Sequence, residues 1–356
     1  MPVCLNGNMQ NHDLSAGIAC LAGRSTAGYQ GWTGRCVNIG LINNMSDGAL
    51  EATERQFLTL LDAAAAADGI LVHLTLYALP DVPRNDWGRQ RVKQFYSDVD
   101  SLWSSQLDGL IVTGREPRTS NLKDEPYWDS LTRVLEWAED NTHSTVWSCL
   151  AAHAALLHMD GIARRRSTVK RCGVFDCIRL SDHPLMAGLP QLLKVPHSRW
   201  NDIDSDELTA CGYSVLSRTQ DAGADTIIKR RNSLFVFFQG HPEYESETLL
   251  LEYRRDVRRY LTGETDIYPS MPQNYFDRSA QHALTVLREK ALSERREELL
   301  AESTALVDTK TLAYPWRSTS AWVYANWLAY IHAQKETRLN RSEATSAVEE
   351  QLANSN

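Results

Sequence analysis

Three side chains in this sequence could carry out covalent chemistry together: Cys149, His241 and Glu243. Cys149 lies in "HSTVWSCLAAHAALLHMDGI", between a run that reads as a short strand (Ser144 to Trp147) and an Ala/Leu-rich run that reads as a helix (Leu150 to Met159). A sharp strand-to-helix turn lifts a side chain out of a sheet and places it at a helix N-terminus, where the dipole favours a thiolate. Nucleophile elbows in hydrolases use the same geometry, and the small residues Ser148, Ala151 and Ala152 would permit it. A lone cysteine is also among the most buried residue types, so a core thiol is the alternative for Cys149 taken alone.

His241 and Glu243 fall in "FVFFQGHPEYESETL", where an apolar strand stops at Gly240 and Pro242 fixes the backbone between the two polar residues. A histidine there can deprotonate a thiol or a hydroxyl. The glutamate can hold the imidazole in one tautomer and stabilise its charged form. His-Pro-Glu alone is also a plausible structural turn. Combined with an elbow cysteine, it forms the nucleophile-plus-base pair that acyl transfer needs.

The elements that must position these groups follow from the pattern. "CVNIGLIN", "GILVHLTLYAL", "DGLIVTG" and "STVWS" read as strands. They alternate with helices such as "ALEATERQFLTLLDAAAAA" and "YWDSLTRVLEWAED". That alternation predicts a doubly wound, mostly parallel α/β sheet, in which ligands sit at the carboxyl ends of strands. The Gly114 turn and Cys149 both fall at such ends. In the second half "GVFDCIRL", "YSVLSRT", "DTIIKRR" and "LFVFFQG" read as partly antiparallel strands. A helix over Glu245 to Leu261 and a late aromatic helix, "TSAWVYANWLAYIHAQ", follow. The expected organisation is an N-terminal arm (1–35), one catalytic domain (36–332) and a polar C-terminal tail (333–356).

Composition excludes several classes. A net charge of −8 with no basic stripe argues against a nucleic-acid partner. No window approaches the roughly 18 apolar residues of a membrane span. The N-terminus lacks the pattern of a signal peptide. Seven scattered cysteines without a CxxC pair read as reduced thiols and no metal site, which implies a cytoplasmic protein.

The motifs "GLIVTG", "YW…VLEWAEDNTHST…SC…AAL", "VPHSR", "GHPEY…RDV", "NYF" and "NWLAYI" occur here in order. In this the chain resembles the homoserine O-acyltransferase family of methionine synthesis, from about residue 36 to about residue 332. The resemblance implies a fold like that of class I glutamine amidotransferases (flavodoxin-like, with a nucleophile elbow). It also implies a homodimer, and acyl-CoA as a substrate with no cofactor. By the same resemblance Cys149 is the acyl-accepting nucleophile, His241 the proton acceptor and Glu243 its partner. Lys170 and Ser198 are substrate contacts, and Arg255 holds the amino-acid carboxylate, for which an Arg fork is suited. Backbone N–H groups at Leu150 and Arg115 are the expected oxyanion donors.

Three departures bear on the substrate. Where the family carries "VTGAP", this chain has "VTGREPRTSN", which puts Arg118 at the position that sorts the acyl donor. An arginine there could pair with a succinyl carboxylate or face solvent, with Glu116 two positions away. The family's "NLMPKK" is replaced by "NNMSDGALEATERQF", without a lysine. His153 replaces a glutamine one helical turn after the nucleophile, as a structural histidine or an alternative base. Succinyl and acetyl donors, and homoserine and serine acceptors, stay open at this level. The rival readings are a glutamine-hydrolysing amidotransferase, a cysteine hydrolase and a non-catalytic binding protein. The first is disfavoured because "SCLAAHA" lacks the glycines that normally surround that nucleophile.

Overall fold

The computed structural model describes residues 2–6, 35–220 and 223–353. Ten strands form one sheet: β1 (Val3–Asn6), β2 (Cys36–Ile42), β3 (Leu71–Tyr77), β4 (Gly109–Thr113), β5 (Ser144–Ser148), β6 (Arg165–Arg179), β7 (Leu192–Asp202), β8 (Ser214–Thr219), β9 (Gly223–Arg230) and β10 (Leu234–Phe238). Their order across the sheet is β1-β3-β2-β4-β5-β10-β9-β8-β6-β7. The strands from β1 to β10 in that order pair in parallel. Beyond β10 every pairing is antiparallel.

The helices are α1 (Leu50–Asp68), α2 (Asp86–Phe95), α3 (Trp128–Asn141), α4 (Leu150–Asp160), α5 (Ser205–Ala210), α6 (Thr248–Leu261), α7 (Arg278–Ser293), α8 (Leu299–Ala305) and α9 (Arg317–Ala353). They cover both faces of the parallel half. That explains why β4, β5 and β10 are buried at every residue and read as continuous apolar runs. One core layer packs α1 and the Tyr324–Ile331 stretch of α9 on one face of the sheet. The other packs α3 and α4 on the opposite face. A third cluster lies under α6, α7 and α8, closed by Trp316.

The fold differs from the sequence reading in four places. Val3–Asn6 is no arm but an edge strand in register with Val72–Thr75; the rest of the expected arm, residues 7–34, lies outside the described residues. The tail boundary at 332 falls inside α9, which continues past it and is tied down by Lys335 Nζ on Cys36 O (3.1 Å) and Asp108 Oδ2 (2.8 Å). Strand β7, which carries Ser198, was not expected. Neither was the long N-terminal extension of β6, whose register with β7 breaks between Arg166 and Arg171. Lys170 sits in that irregular stretch. The "NYF" motif docks on β6: Gln273 N donates to Cys172 O and Val174 N to Gln273 O, both at 2.9 Å.

Candidate active site

Cys149 joins β5 to α4 with φ 49° and ψ −108°. A non-glycine residue at positive φ is strained, and such strain persists where the surroundings over-determine it. Here Cys149 N donates to Phe238 O at 2.7 Å, which locks the elbow to the end of β10. The neighbouring turn presses on it from the other side. A Cβ on Gly114 would stand 2.3 Å from Ala151 N and 2.7 Å from Leu150 Cβ. Glycine at 114 is what lets the β4 turn approach the first turn of α4. This brings the two expected oxyanion positions, Leu150 and Arg115, to neighbouring segments.

Parallel pairing of β5 and β10 puts Ser148 opposite Phe238. The residues just beyond each strand, Cys149 and Gly240–His241, therefore emerge at the same end of the sheet. His241 N donates to Pro196 O at 2.8 Å, and Gly240 N to Asp225 Oδ1 at 3.1 Å. His241 Nδ1 donates to Glu243 Oε1 at 2.8 Å, leaving Nε2 for the hydrogen bond to Cys149. Ser148 Oγ donates to the same glutamate oxygen at 3.3 Å. The ring of Tyr244 stacks on His241 with centroids 4.1 Å apart. Burial disfavours the charged imidazole, but the negative charges and hydrogen bonds of Cys149 and Glu243 outweigh it. They hold His241 well above its ordinary value.

Next to this trio lies a charged set. Ser198 Oγ bonds Glu252 Oε2, whose partner oxygen Oε1 accepts from Tyr244 OH at 2.8 Å. Lys170 Nζ lies 2.8 Å from Asp256 Oδ2 and 3.7 Å from Glu252 Oε2. Arg255 Nε donates to Asp256 Oδ1 at 2.9 Å. Burial raises both carboxyls, yet Lys170 and Arg255 bring Glu252 and Asp256 below their usual range. Those two carboxylates in turn raise Lys170 against its burial. Lys170, Ser198 and Arg255, distant in sequence, thus meet at one place. Glu252 was missed. The signal was present: Glu252, Arg255, Asp256 and Arg259 share one face of α6 at helical spacing.

In the loop after β4, Arg118 is exposed, and its backbone N donates to Glu125 Oε1 at 2.6 Å. Thr119 N and Oγ1 donate to the same oxygen at 2.7 and 2.8 Å, so a buried glutamate pins this loop. Glu116 is exposed and pairs with Arg259 at 3.2 Å. Arg115, expected to contribute only its backbone, turns its side chain inward and is 8% exposed. Arg84 reaches under the loop after β2 and donates to Asn43 O (3.0 Å) and Met45 O (3.1 Å).

His153 is fully enclosed. Burial, with Arg199 and Arg164 adding, pushes it down to about 3, so it stays neutral and cannot serve as a base near pH 7. Among the described residues one group has metal-ligand types close together: buried Cys177, His197 and Asp225. Arg199 Nε donates to His197 Nδ1 at 3.3 Å, and Asp225 accepts from Ser217, Thr226 and Gly240. These contacts make it a brace beneath the Gly240 turn.

A strained cysteine at an elbow, a histidine held by a glutamate, and a charged cluster beside them lie together on a mostly parallel α/β sheet. Comparison with known proteins adds the family. The family model described as homoserine O-succinyltransferase matches residues 10–338, and the chain belongs to that family. A homoserine O-succinyltransferase of Rhodopseudomonas palustris is 47% identical over 300 residues, covering 84% of this chain and 90% of the relative. The homoserine O-succinyltransferase of Bradyrhizobium japonicum is 41% identical, over 83% of this chain and 90% of its own. Among solved structures, a glutamine amidotransferase of Thermotoga maritima aligns over 83% of this chain and 98% of its own, at 10% identity and a TM-score of 0.45.

Proposed function

We propose that this protein transfers the succinyl group of succinyl-CoA to the side-chain hydroxyl of L-homoserine, through a succinyl-cysteine intermediate, as a step of methionine biosynthesis. The observation that carries the reading is the His241 bridge, which hydrogen-bonds Cys149 on one side and Glu243 on the other at a backbone-strained elbow. Family membership supports the substrate pair.

In the first half-reaction His241 takes the thiol proton and the sulfur of Cys149 attacks the thioester carbonyl. The carbonyl oxygen becomes an oxyanion, met by backbone N–H groups of Leu150 and Arg115. The C–S bond to CoA breaks and the leaving thiolate takes the proton back from His241. In the second half-reaction His241 removes the proton from the homoserine hydroxyl, whose oxygen attacks the acyl-enzyme. The cysteine sulfur leaves and regains that proton. Glu243 keeps the imidazole oriented and stabilises its charged form throughout. Arg255 binds the amino-acid carboxylate once it exchanges its contact with Asp256, and Glu252 with Ser198 offers acceptors for the ammonium. The acyl-enzyme divides the reaction into two steps and gives ping-pong kinetics.

The test is product analysis by mass spectrometry with succinyl-CoA or acetyl-CoA crossed with L-homoserine or L-serine. O-succinylhomoserine is the expected dominant product. Dominant O-acetyl or O-acylserine products would refute the substrate assignment, and glutamine hydrolysis would refute the class.

A further inference from the structure

We propose that Arg115, backed by Arg84, is the receptor for the distal carboxylate of the acyl donor, and that it, rather than Arg118, makes this chain select a dicarboxylic acyl group. The inference rests on the acyl-transfer reading above and extends it to the specificity of the donor side.

Position comes first. Gly114 abuts the first turn of α4, so the side chain of Arg115 starts one residue from the wall of the nucleophile elbow. A narrow crevice on that wall is lined by Thr113, Gly114, Tyr127, Leu150 and Ala151. The charge of Arg115 reaches Tyr127 in that lining.

Unmet hydrogen bonding comes second. Arg115 donates from Nη1 to Pro83 O at 3.1 Å, while its buried Nε has no partner. Arg84, with a side chain 5% exposed, also has a buried Nε without a partner. The two guanidiniums lie close enough to feel one another's charge. Asp47 Oδ1 lies 3.4 Å from Arg84 Nη1, and its other oxygen already accepts from Asn85 N at 2.8 Å. Two buried cations thus lie near one another, with one distant, partly engaged carboxylate beside Arg84. Such an arrangement is costly unless an anion completes it. A guanidinium edge with a free N–H matches a carboxylate in a two-bond geometry.

The alternatives fit less well. Arg118 is exposed, and Glu125 holds its backbone in place. Glu116 is turned to Arg259. An acetyl group has nothing to offer the two arginines, whereas a succinyl carboxylate supplies the missing charge.

The experiment compares succinyl-CoA with butyryl-CoA, which has the same chain length and a methyl in place of the carboxylate, in the formation of acyl-enzyme. The wild type should favour succinyl-CoA by about 10⁴-fold in kcat/KM, the scale expected when a site built to hydrogen-bond a polar group meets an analogue without it. In Arg115→Gln the succinyl-over-butyryl preference should collapse toward unity, and it is read as a ratio because the backbone of residue 115 also faces the oxyanion and a change there moves both donors alike. Arg115→Lys should recover part of the preference, because it restores charge without the fork. Equal handling of the two donors by the wild type would overturn the proposal without any variant. So would a matched fall with both donors in Arg115→Gln, or a switch of preference in Arg118→Gln that Arg115→Gln lacks. A wild type that forms no acyl-enzyme with either donor would instead refute the underlying acyl-transfer reading.

Discussion

The two halves of the sheet build their parts of the site by different means. In the parallel half, backbone geometry places a single sulfur: β5 and β10 run side by side, Cys149 N is tied to Phe238 O, and Gly114 closes against Ala151. In the antiparallel half, mutual charge pairing places the polar groups: Lys170 from β6 and Ser198 from β7 meet Glu252, Arg255 and Asp256 on α6. The first kind of placement is steric, with little tolerance. The second is electrostatic, made of ion pairs and hydrogen bonds between polar side chains. Variants in the parallel half should therefore abolish turnover, and those in the antiparallel half should shift substrate affinity.

The largest effect belongs to Cys149. Cys149→Ala should lower succinyl transfer by at least about 10⁴-fold while leaving the melting temperature nearly unchanged, since removing a nucleophile costs far more rate than stability. Residual transfer near the wild-type rate would break the comparison at its centre. Glu243→Gln follows, with a loss of about 10³-fold in kcat, because the imidazole loses its orienting acceptor.

That variant carries a pH signature. His241 is held above its ordinary value in the folded protein, so its contribution to stability is fully present below pH 6.5 and is lost as pH rises through the raised folded value. Without Glu243 one of its supports is gone, and in melting curves taken across pH that loss should be smaller and complete at a lower pH than in the wild type. Coincident profiles would show that the pair is not coupled as the structure indicates.

Gly114→Ala should lower activity by about 10²-fold and stability by about 1–3 kcal/mol, since the new methyl meets backbone in a packed turn. Thermal melting and initial rates measure both. The smallest effect sharpens the other side of the comparison. Asp256→Asn should raise the KM for homoserine by roughly tenfold and change kcat little, the mark of lost uniform binding. Glu252 and Asp256 sit below their ordinary values, so their stabilising contribution is present above the usual carboxylate range and disappears as pH falls through the lowered folded values. Asp256→Asn should flatten that acid limb. A fall in kcat with an unchanged KM would place Asp256 in the wrong role.

The same contrast governs what was legible in the sequence. β4, β5 and β10 are buried on both faces, so their apolar runs announce them, and the elbow follows from small residues at a strand-to-helix junction. β7 is an edge strand with Pro196 in its interior, and a proline inside a run argues against a strand. The first residues of β6 are arginines and hydroxylated residues that give no apolar signal. Val3–Asn6 is too short to stand out, and long-range pairing with β3 is what makes it a strand. Glu252 was readable from its spacing to Arg255. The inward turn of Arg115 and outward turn of Arg118 were not, because Glu125 and Pro83 settle them through contacts that no local pattern encodes.

The most direct measurement is the intact mass of the protein mixed with succinyl-CoA in the absence of any acceptor, beside Cys149→Ala. The account predicts a gain of one succinyl group on the wild type, no gain on the variant, and loss of the label when homoserine is added. Formation of O-succinylhomoserine without an adduct ever appearing, or by Cys149→Ala at a comparable rate, would contradict it.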